Sequence, residues 1–287
     1  MTAAMRVNRY QNAAEFTERV TPLLMRDETV NHLMLGILSD LSRGSPTQAA
    51  RGPLLCDVEE EHGVPIAAAA STGLSLVLTD MPPGAMDALV DFLASEKISI
   101  PKTCGTSETV ARFAERWAAR NHLTATLDRR LHIMRLESMA ATNEFPGHFR
   151  QATMADVPTL TPWAEGFTAE LQLELSDART DVERRIGRDR LFVWCDPQPV
   201  SMAGCAGPTP NGIRINFVYT PPEFRRRGYA GACVAALSRR MLEAGKKFVF
   251  LYVDAGNATT NRIYRAVGFQ AVCDWDDYHF QADEGRL

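Results

Sequence analysis

The sequence predicts an α/β protein made of two domains. Its 287 residues exceed the length of one average domain and suit two. Apolar residues make up 45% of the chain and charged residues 23%, so each half can bury a core. Both halves follow one order of predicted elements: strand, two helices, three strands, helix, strand, helix, strand. We place the domains at 1–138 and 148–287, joined at 139–147 by a small, polar, turn-rich linker.

In the first half, the elements follow from hydrophobic period and turn residues. The chain opens on a strand-like segment at 5–10, and helical patterns cover 13–25 and 29–41. Turn residues divide 54–80 into three short strands. The remaining elements are a helix at 83–97, a strand at Ile98–Pro101, a helix at 106–121 and a strand at 123–138. The helix at 106–121 is expected to begin with a capping box at Ser107.

The second half repeats this order. A strand and a helix are expected within 147–167, with the helix starting near Thr153 or Ala155. The later elements are a helix at 176–189, strands at 190–196, 199–208 and 212–221, a helix at 228–246, a strand at 247–255, a helix at 257–269 and a strand at 270–280. The repeat is one of element order and not of residue identity.

Charge and composition restrict the partners and the location. The net charge is −4, whereas a nucleic-acid binder usually has a basic excess, so no nucleic-acid partner is expected. No apolar run approaches the ~20 residues that span a bilayer, and the first residues lack an apolar signal core. We therefore expect a cytoplasmic protein that does not bind a membrane. The six cysteines form no CxxC pair and no histidine stands at a metal-ligand spacing, so no metal site is predicted.

The segment at 220–231 combines three arginines and two glycines between a predicted strand and a predicted helix. Gly228 and Gly231 allow positive φ and a close approach of the backbone to a ligand. The first amides of a helix lack internal acceptors and the helix dipole is positive there, so such a turn binds phosphate. Arg225–Arg227 repel one another, and a ligand with several phosphate charges would relieve that repulsion. The alternative is a solvated basic turn.

Two common nucleotide-binding motifs do not account for this turn. A P-loop requires GxxxxGK[ST], which is absent from the sequence. A dinucleotide fold requires GxGxxG at an early turn with an acid ~20 residues later. The segment GYAGA at 228–232 lacks that spacing.

Two segments resemble the signatures of the GNAT superfamily of acetyl-CoA-dependent N-acetyltransferases. RRRGYA, Arg225–Ala230, is similar to the family's pyrophosphate loop, [QR]xxGx[GA]. NATTNRIYRAVGF, Asn257–Phe269, is similar to a later helix of the family that carries Asn, Asn and Tyr at these spacings before a Gly-aromatic turn. The resemblance covers about 147–282. The first half resembles the family only in element order, because TDMPPGAMDAL at 79–89 stands where a pyrophosphate loop would be.

The resemblance implies two GNAT-like domains, each a mixed, mostly antiparallel sheet flanked by helices, with a V-shaped splay between two parallel strands. It implies acetyl-CoA as co-substrate in the second domain, held between those strands, and a first domain that has lost cofactor binding. Backbone groups of three strand residues would pair with the pantetheine, and the loop amides would hold the pyrophosphate. The implied cofactor residues are Phe217, Val218, Tyr219, Arg225, Arg226, Arg227, Gly228, Tyr229, Ala230, Gly231, Asn257, Asn261 and Tyr264.

Tyr264 is the expected general acid. Attack by an amine on the thioester expels a thiolate, and a tyrosine of pKa ~10 remains protonated near neutral pH and can donate to it. The alternative is a tyrosine packed under the last strand. For the general base we name Glu165, with Glu170, Glu223 and Asp254 as further candidates. The family often places a glutamate on the strand before the loop, and this chain departs from that pattern with Arg214 and Asn216.

The resulting expectation is an N-acetyltransferase that moves an acetyl group from acetyl-CoA to a primary amine by direct attack in a ternary complex. The expected acceptor is a small-molecule amine or an amino-acid-like molecule, or else an N-terminus or lysine of a protein, and the expected assembly is a monomer or homodimer. Two alternatives stay open. One is an acyltransferase that uses a longer acyl-CoA, since the pyrophosphate site contacts only the CoA part. The other is a non-catalytic acyl-CoA-binding or interaction protein.

Overall fold

The computed structural model describes residues 5–44, 52–60, 63–73, 75–139, 145–172 and 177–282. The chain folds as two compact units. The first comprises Met1–Ile133, Asp254–Gly256 and Val272–Leu287, and the second comprises Met134–Val253 and Asn257–Ala271. The end of the chain is thus grouped with the first unit, unlike the predicted domain at 148–287. Residues 140–144 of the predicted linker lie outside the described residues.

The first unit is a mixed sheet flanked by four helices among its described residues. Its elements are β1 Arg6–Arg9, α1 Ala13–Leu24, α2 His32–Ser42, β2 Leu54–Glu59, β3 Pro65–Ser71, β4 Leu76–Leu78, α3 Pro83–Ser95, β5 Lys102–Thr106, α4 Ser107–Asn121 and β6 Leu123–Leu136, the last of which runs three residues beyond the unit. The neighbouring strands β1 to β4 pair in antiparallel fashion, and β4 pairs with β5 in parallel. A core of buried apolar side chains packs α3 and α4 against the sheet, with Leu89, Leu93 and Phe113 fully buried.

Two predicted features of the first unit are wrong. The strand expected at Ile98–Pro101 lies instead at Lys102–Thr106, after the proline, which cannot donate to a ladder. The capping box expected at Ser107 is not formed, because Ser107 is already the first helical residue of α4. Its N-cap residue, Thr106, makes no capping bond and donates its hydroxyl to the Asp80 carboxylate.

The second unit repeats the architecture. Its elements are β7 His148–Gln151, α5 Val157–Glu170, α6 Ala178–Gly187, β8 Leu191–Cys195, β9 Pro199–Ala206, β10 Gly212–Tyr219, α7 Tyr229–Glu243, β11 Phe248–Asp254 and α8 Ala258–Val267; the chain then forms β12, Gln270–Ala282. Strands β7 to β10 are antiparallel neighbours, and β10 pairs with β11 in parallel. The predicted class, mixed and mostly antiparallel sheets flanked by helices, is confirmed.

Strands β10 and β11 separate after a short paired segment. Their registered pairs run from Gly212 with Phe248 to Arg214 with Phe250, although β10 continues to Tyr219 and β11 to Asp254. The pairing of β10 with β9 shifts in register between Asn216 and Tyr219. This bulge bends β10 away from its parallel neighbour and opens a V between the two strands.

Different helices cover the two faces of this sheet. Ile213 and Ile215 of β10 join Val249 and Leu251 of β11 in a core with α7 and α8. On the other face, Phe217 joins a core with α5 and α6. The bulge explains why Phe217 faces opposite to Ile215, although strand period alone would place both on one face.

The start of α5 depends on an acid–base pair that gives stability at neutral pH. Arg150 donates two hydrogen bonds of 2.7 Å to the Asp156 carboxylate, which also accepts from the Thr153 amide over 2.7 Å. Thr153 and Asp156 form a capping box before the helix, close to its predicted start. The bonds from Arg150, followed by those from Thr153, lower the pKa of Asp156.

We expect Asp156→Asn to reduce the free energy of unfolding by about 2 kcal/mol at pH 7, because it removes a charge-assisted pair of low exposure. A depressed carboxyl pKa stabilises the fold above its unfolded value near 4, and this contribution is lost as the pH falls through the folded pKa. The difference between variant and native protein should therefore shrink below about pH 4. Urea unfolding at several pH values measures it. The exposed Glu18, as Glu18→Gln, is the control, and an equal loss in both variants would contradict the assignment.

Candidate active site

The turn between β10 and α7 presents backbone amides that the helix does not use. After one 3₁₀ turn at Pro222–Phe224, the chain enters α7 through Gly228, whose φ is +84°. The first bond of α7 is donated by the Ala232 amide to the Gly228 carbonyl over 3.0 Å. The amides of residues 229–231 therefore have no acceptor within the helix. Because the helix dipole adds positive potential, the start of α7 is suited to an anion.

The three arginines of this turn have different surroundings. Arg225 donates from Nε to the Thr220 carbonyl over 2.9 Å and pairs with the Glu170 carboxylate at 2.5 Å, and this pairing raises the pKa of Arg225. Arg226 and Arg227 are exposed and have no acid partner among the described residues. The protein thus neutralises one of the three charges, and two remain for solvent or an anion.

A cavity of about 1170 Å³ lies in front of this turn, within the second unit. It extends along the splayed end of β10, the turn, the first turns of α7 and the inner side of α8. Ten of the thirteen predicted cofactor residues line it: Val218, Tyr219, Arg225, Arg226, Gly228, Tyr229, Ala230, Gly231, Asn257 and Tyr264. Phe217, Arg227 and Asn261 are not among its lining residues.

Helix α8 forms one wall of the cavity, and its start is capped by Asn257. The Asn257 Oδ1 accepts from the Thr260 amide over 3.1 Å. Asn261 donates from Nδ2 to the Asn257 carbonyl over 2.9 Å. It therefore stabilises the N-cap residue of α8, although it does not line the cavity itself. A Cβ on Gly231 would lie 3.4 Å from Ile263 Cγ2, and this glycine therefore allows the close approach of α7 and α8.

Tyr264 reaches the cavity from α8 and is otherwise packed into the core. Its residue is 7% exposed, and its ring lies 6.0 Å from that of Phe269, centroid to centroid. Burial, with a smaller contribution from Cys233, raises the pKa of Tyr264 to about 12. The raised pKa favours the protonated hydroxyl at neutral pH, and this hydroxyl forms no hydrogen bond with the described residues.

The edge of β10 that borders the cavity is shaped by the bulge. Phe217 has a φ of +55°, unusual for an aromatic residue, and is buried against α5, with its ring 5.0 Å from that of Phe167. Val218 and Tyr219 border the cavity. The ring of Tyr219 occupies the space where Gly166 would carry a side chain, which explains a glycine in the middle of α5.

The four candidate general bases differ in whether they line the cavity. Glu170, at the end of α5, lines the cavity and holds Arg225. Glu165 and Glu223 are exposed and do not line it. Asp254 accepts from the Gly256 amide over 2.7 Å and is grouped with the first unit. Glu165 as the base stays a prediction, and Glu170 is the one of the four candidates that lines the cavity.

Several lining residues were not predicted from the sequence, among them Phe145, Trp194, Arg239 and Arg262. The ring of Phe145 lies over Gly228, where any Cβ would overlap it. Trp194 donates from its indole nitrogen to the Pro146 carbonyl over 2.9 Å. Strand period in β8 places Trp194 on the α7 face, which is a signal that sequence reasoning could have used. Phe145 gives no comparable signal.

The matching turn of the first unit has the opposite chemistry. Pro82 and Pro83 at the start of α3 have no amide hydrogens to offer an anion. The Asp80 carboxylate occupies the turn and accepts from the hydroxyls of Thr106 and Thr109, the latter over 2.9 Å. A cavity of about 680 Å³ is present beside these residues. An acidic turn with few amide donors does not suit phosphate.

Metal-ligating clusters and membrane-spanning helices are absent from the described part of the chain. There, no group of three or more His, Cys, Asp and Glu side chains is placed to hold a metal ion, and the expectation of no metal stays a prediction. No helix within the described ranges has both the length and the apolar character needed to cross a bilayer.

Comparisons with known proteins place the fold. A family model described as FR47-like protein matches residues 198–279, which include the turn and α8. No curated protein matches the chain. Among solved structures, a Drosophila protein is 11% identical, with a TM-score of 0.65 and coverage of 96% of this chain and 98% of that chain. A GCN5-related N-acetyltransferase from Sphaerobacter thermophilus is 15% identical, with a TM-score of 0.61 and coverage of 96% and 94%.

A tandem GNAT protein from the clavulanic acid biosynthesis pathway is also similar, at 12% identity and a TM-score of 0.52. It covers 96% of this chain and 98% of its own, so the likeness spans both units. At these identities the solved structures show the fold. The resemblance to the GNAT superfamily that the two sequence segments indicated is confirmed at the level of the fold.

Proposed function

We propose that this chain, a protein of the GNAT superfamily fold, is an N-acetyltransferase that moves an acetyl group from acetyl-CoA to a primary amine. The observation that carries the proposal is the turn before α7. A left-handed glycine, three amides without helical acceptors and an exposed arginine face a cavity that Tyr264 also lines. A phosphate site and a proton donor therefore share one cavity, as a CoA-dependent transferase requires.

The residues present suit acetyl-CoA. The amides at 229–231 and Arg226 would hold the pyrophosphate. The pantetheine arm would run into the V between β10 and β11, with its amides paired to the free backbone edge of Val218 and Tyr219. The cavity continues from the turn to this edge, so both parts of the cofactor have a place in it.

The transfer is a single displacement. The amine nitrogen attacks the thioester carbonyl carbon, a C–N bond forms, and the C–S bond breaks as the tetrahedral intermediate collapses. Tyr264 donates its hydroxyl proton, or a hydrogen bond, to the leaving sulfur. The proton of the amine passes to a general base. We propose Glu170 as a candidate for this base in addition to Glu165, because Glu170 lines the cavity. No covalent enzyme intermediate is needed.

A calorimetric titration with acetyl-CoA and free CoA, followed by thiol-release assays with a panel of amines, tests this function. We expect micromolar binding of both nucleotides and CoA release that depends on both acetyl-CoA and an amine. Longer acyl-CoA donors in the same assay identify the alternative acyltransferase. Binding without turnover for any amine would favour the non-catalytic alternative, and no binding to the folded protein would overturn both.

A further inference from the structure

Arg214 lies at the vertex of the V, where β10 and β11 separate. It forms the last registered pair of the two strands, with Phe250. Its neighbours Ile213 and Ile215 point into the core with α7 and α8. Arg214 therefore projects from the opposite face, the one that α5 and α6 cover and from which an acceptor would approach the proposed thioester.

The guanidinium of Arg214 has no counter-charge within the described residues. It forms no ion pair and no hydrogen bond there, and its Nε is inaccessible to solvent without a partner. The guanidinium lies over the ring of Tyr252, whose centroid is 5.9 Å away. The residue as a whole is half-buried.

A second arginine near Arg214 adds to the positive charge that no acid offsets. Arg185 on α6 lies near enough that its charge lowers the pKa of Arg214, after burial, which is the larger cause. Arg185 itself is satisfied, because it donates to the Asp181 carboxylate over 2.8 Å and to Asn216 Oδ1 over 3.4 Å. An arginine cannot lose its proton in a protein, so Arg214 remains a cation beside a second cation.

A buried arginine without an acid reduces the stability of a fold unless something supplies the opposite charge. A carboxylate fits best, because the planar fork of a guanidinium binds it through two parallel hydrogen bonds. The CoA phosphates have their own place at the start of α7, on the other face of the sheet. This leaves the acceptor as the source of the anion.

We propose that Arg214 binds a carboxylate of the acceptor, and that the acceptors are therefore amines that also carry a carboxylate, such as amino acids. This inference rests on the proposed function, since it names the substrate class of the same site. The strand on which the superfamily often carries a glutamate here carries the group that would orient the substrate.

Acceptor pairs that differ only at the carboxylate test the proposal. In thiol-release assays with acetyl-CoA, each amino acid is compared with its carboxamide and with the amine that lacks the group. We expect the native protein to prefer the carboxylate by at least about 100-fold in kcat/KM, because a neutral acceptor would leave the buried guanidinium unpaired. Arg214→Met should remove that preference, and Arg214→Lys should retain part of it.

Two controls separate this role from a structural one. Arg188→Met removes an exposed arginine after α6 and should keep the preference. Arg214→Met should bind acetyl-CoA with unchanged affinity, and its kcat/KM should fall far more for the carboxylate acceptors than for the neutral amines. A fall in kcat/KM in Arg214→Met that is equal for all acceptors would overturn the proposal, as would a native protein that prefers neutral amines. Neither result would contradict the transferase function. Should Arg214→Met fail to fold, a reduced preference in Arg214→Lys supports the proposal and an unchanged preference overturns it.

Binding of the reaction product does not require catalysis. It therefore distinguishes a failure of the carboxylate site from a failure of the proposed transferase function. Calorimetry with a panel of N-acetyl amino acids and their carboxamides should show binding of the carboxylates to the native protein and none to Arg214→Met. If no amine is acetylated but this pattern holds, the carboxylate site stands and the proposed function fails. If neither product series binds and no carboxylate preference is found, the carboxylate site is rejected.

Discussion

Gly228→Glu is expected to lower the affinity for acetyl-CoA by at least about 100-fold, because it places a carboxylate where the pyrophosphate would bind. The glycine holds a φ of +84°, and a Cβ there would overlap the Phe145 ring. Loss of two charge-assisted hydrogen bonds of about 1.5–3 kcal/mol each already accounts for this factor. Calorimetric titration with acetyl-CoA measures it.

Gly245 offers a matched control at the other end of α7. It also has a left-handed φ, +92°, and a Cβ there meets nothing within 4 Å. Gly245→Glu therefore adds the same charge and a similar backbone strain of about 1 kcal/mol, but far from the turn. It should bind acetyl-CoA as the native protein does. Equal losses in both variants would assign the effect to strain or net charge and would remove the pyrophosphate role from the turn.

Much of the second unit could be predicted because its signals are local. Alternation at 213–219 and the helical period after Gly228 predicted β10, the turn and α7, and the structure has all three. The glycine at the turn predicted a left-handed backbone, since only a residue without Cβ adopts it readily. In the first unit, the strand near 98–106 was misplaced, because burial of Ile100 looks like strand period although Pro101 delays the ladder.

The rest of the site depends on contacts that a single sequence does not encode locally. Nothing in the residues around Phe145 predicts that its ring lies over Gly228. Arg214 shows the same limit, because an arginine in a strand is usually paired, and only the packing of α6 against β10 reveals that its neighbour is another arginine. The bulge that turns Phe217 to the other face likewise comes from the register with β9.

The two units show how one architecture presents turns of opposite chemistry. Both have a parallel pair of strands followed by a turn and a helix. In the second unit, the turn supplies amides and arginines, whereas in the first it supplies two prolines and an aspartate that binds threonine hydroxyls. A change of a few turn residues therefore reverses the electrostatics while the strands and helices persist.

Tyr264→Phe is expected to lower kcat by about 10²–10³-fold and to change the affinity for acetyl-CoA by less than about threefold. The hydroxyl is the group lost, and it has no hydrogen-bond partner among the described residues, so the ring packing and the stability should persist. Steady-state kinetics of CoA release, with calorimetry for acetyl-CoA binding, measure the two effects separately.

The pH dependence strengthens this prediction. The raised pKa of Tyr264, about 12, means that its proton is present at every pH below that value and is lost only above it. The native protein should therefore show no alkaline limb from Tyr264 between pH 6 and pH 10, and the ratio of native to variant kcat should stay constant over that interval. Tyr278→Phe, which removes another hydroxyl without a partner in the described part of the first unit, is the control and should leave kcat unchanged. A native kcat in Tyr264→Phe would exclude this tyrosine as the proton donor and would leave the leaving thiolate to be stabilised by backbone groups of the cavity.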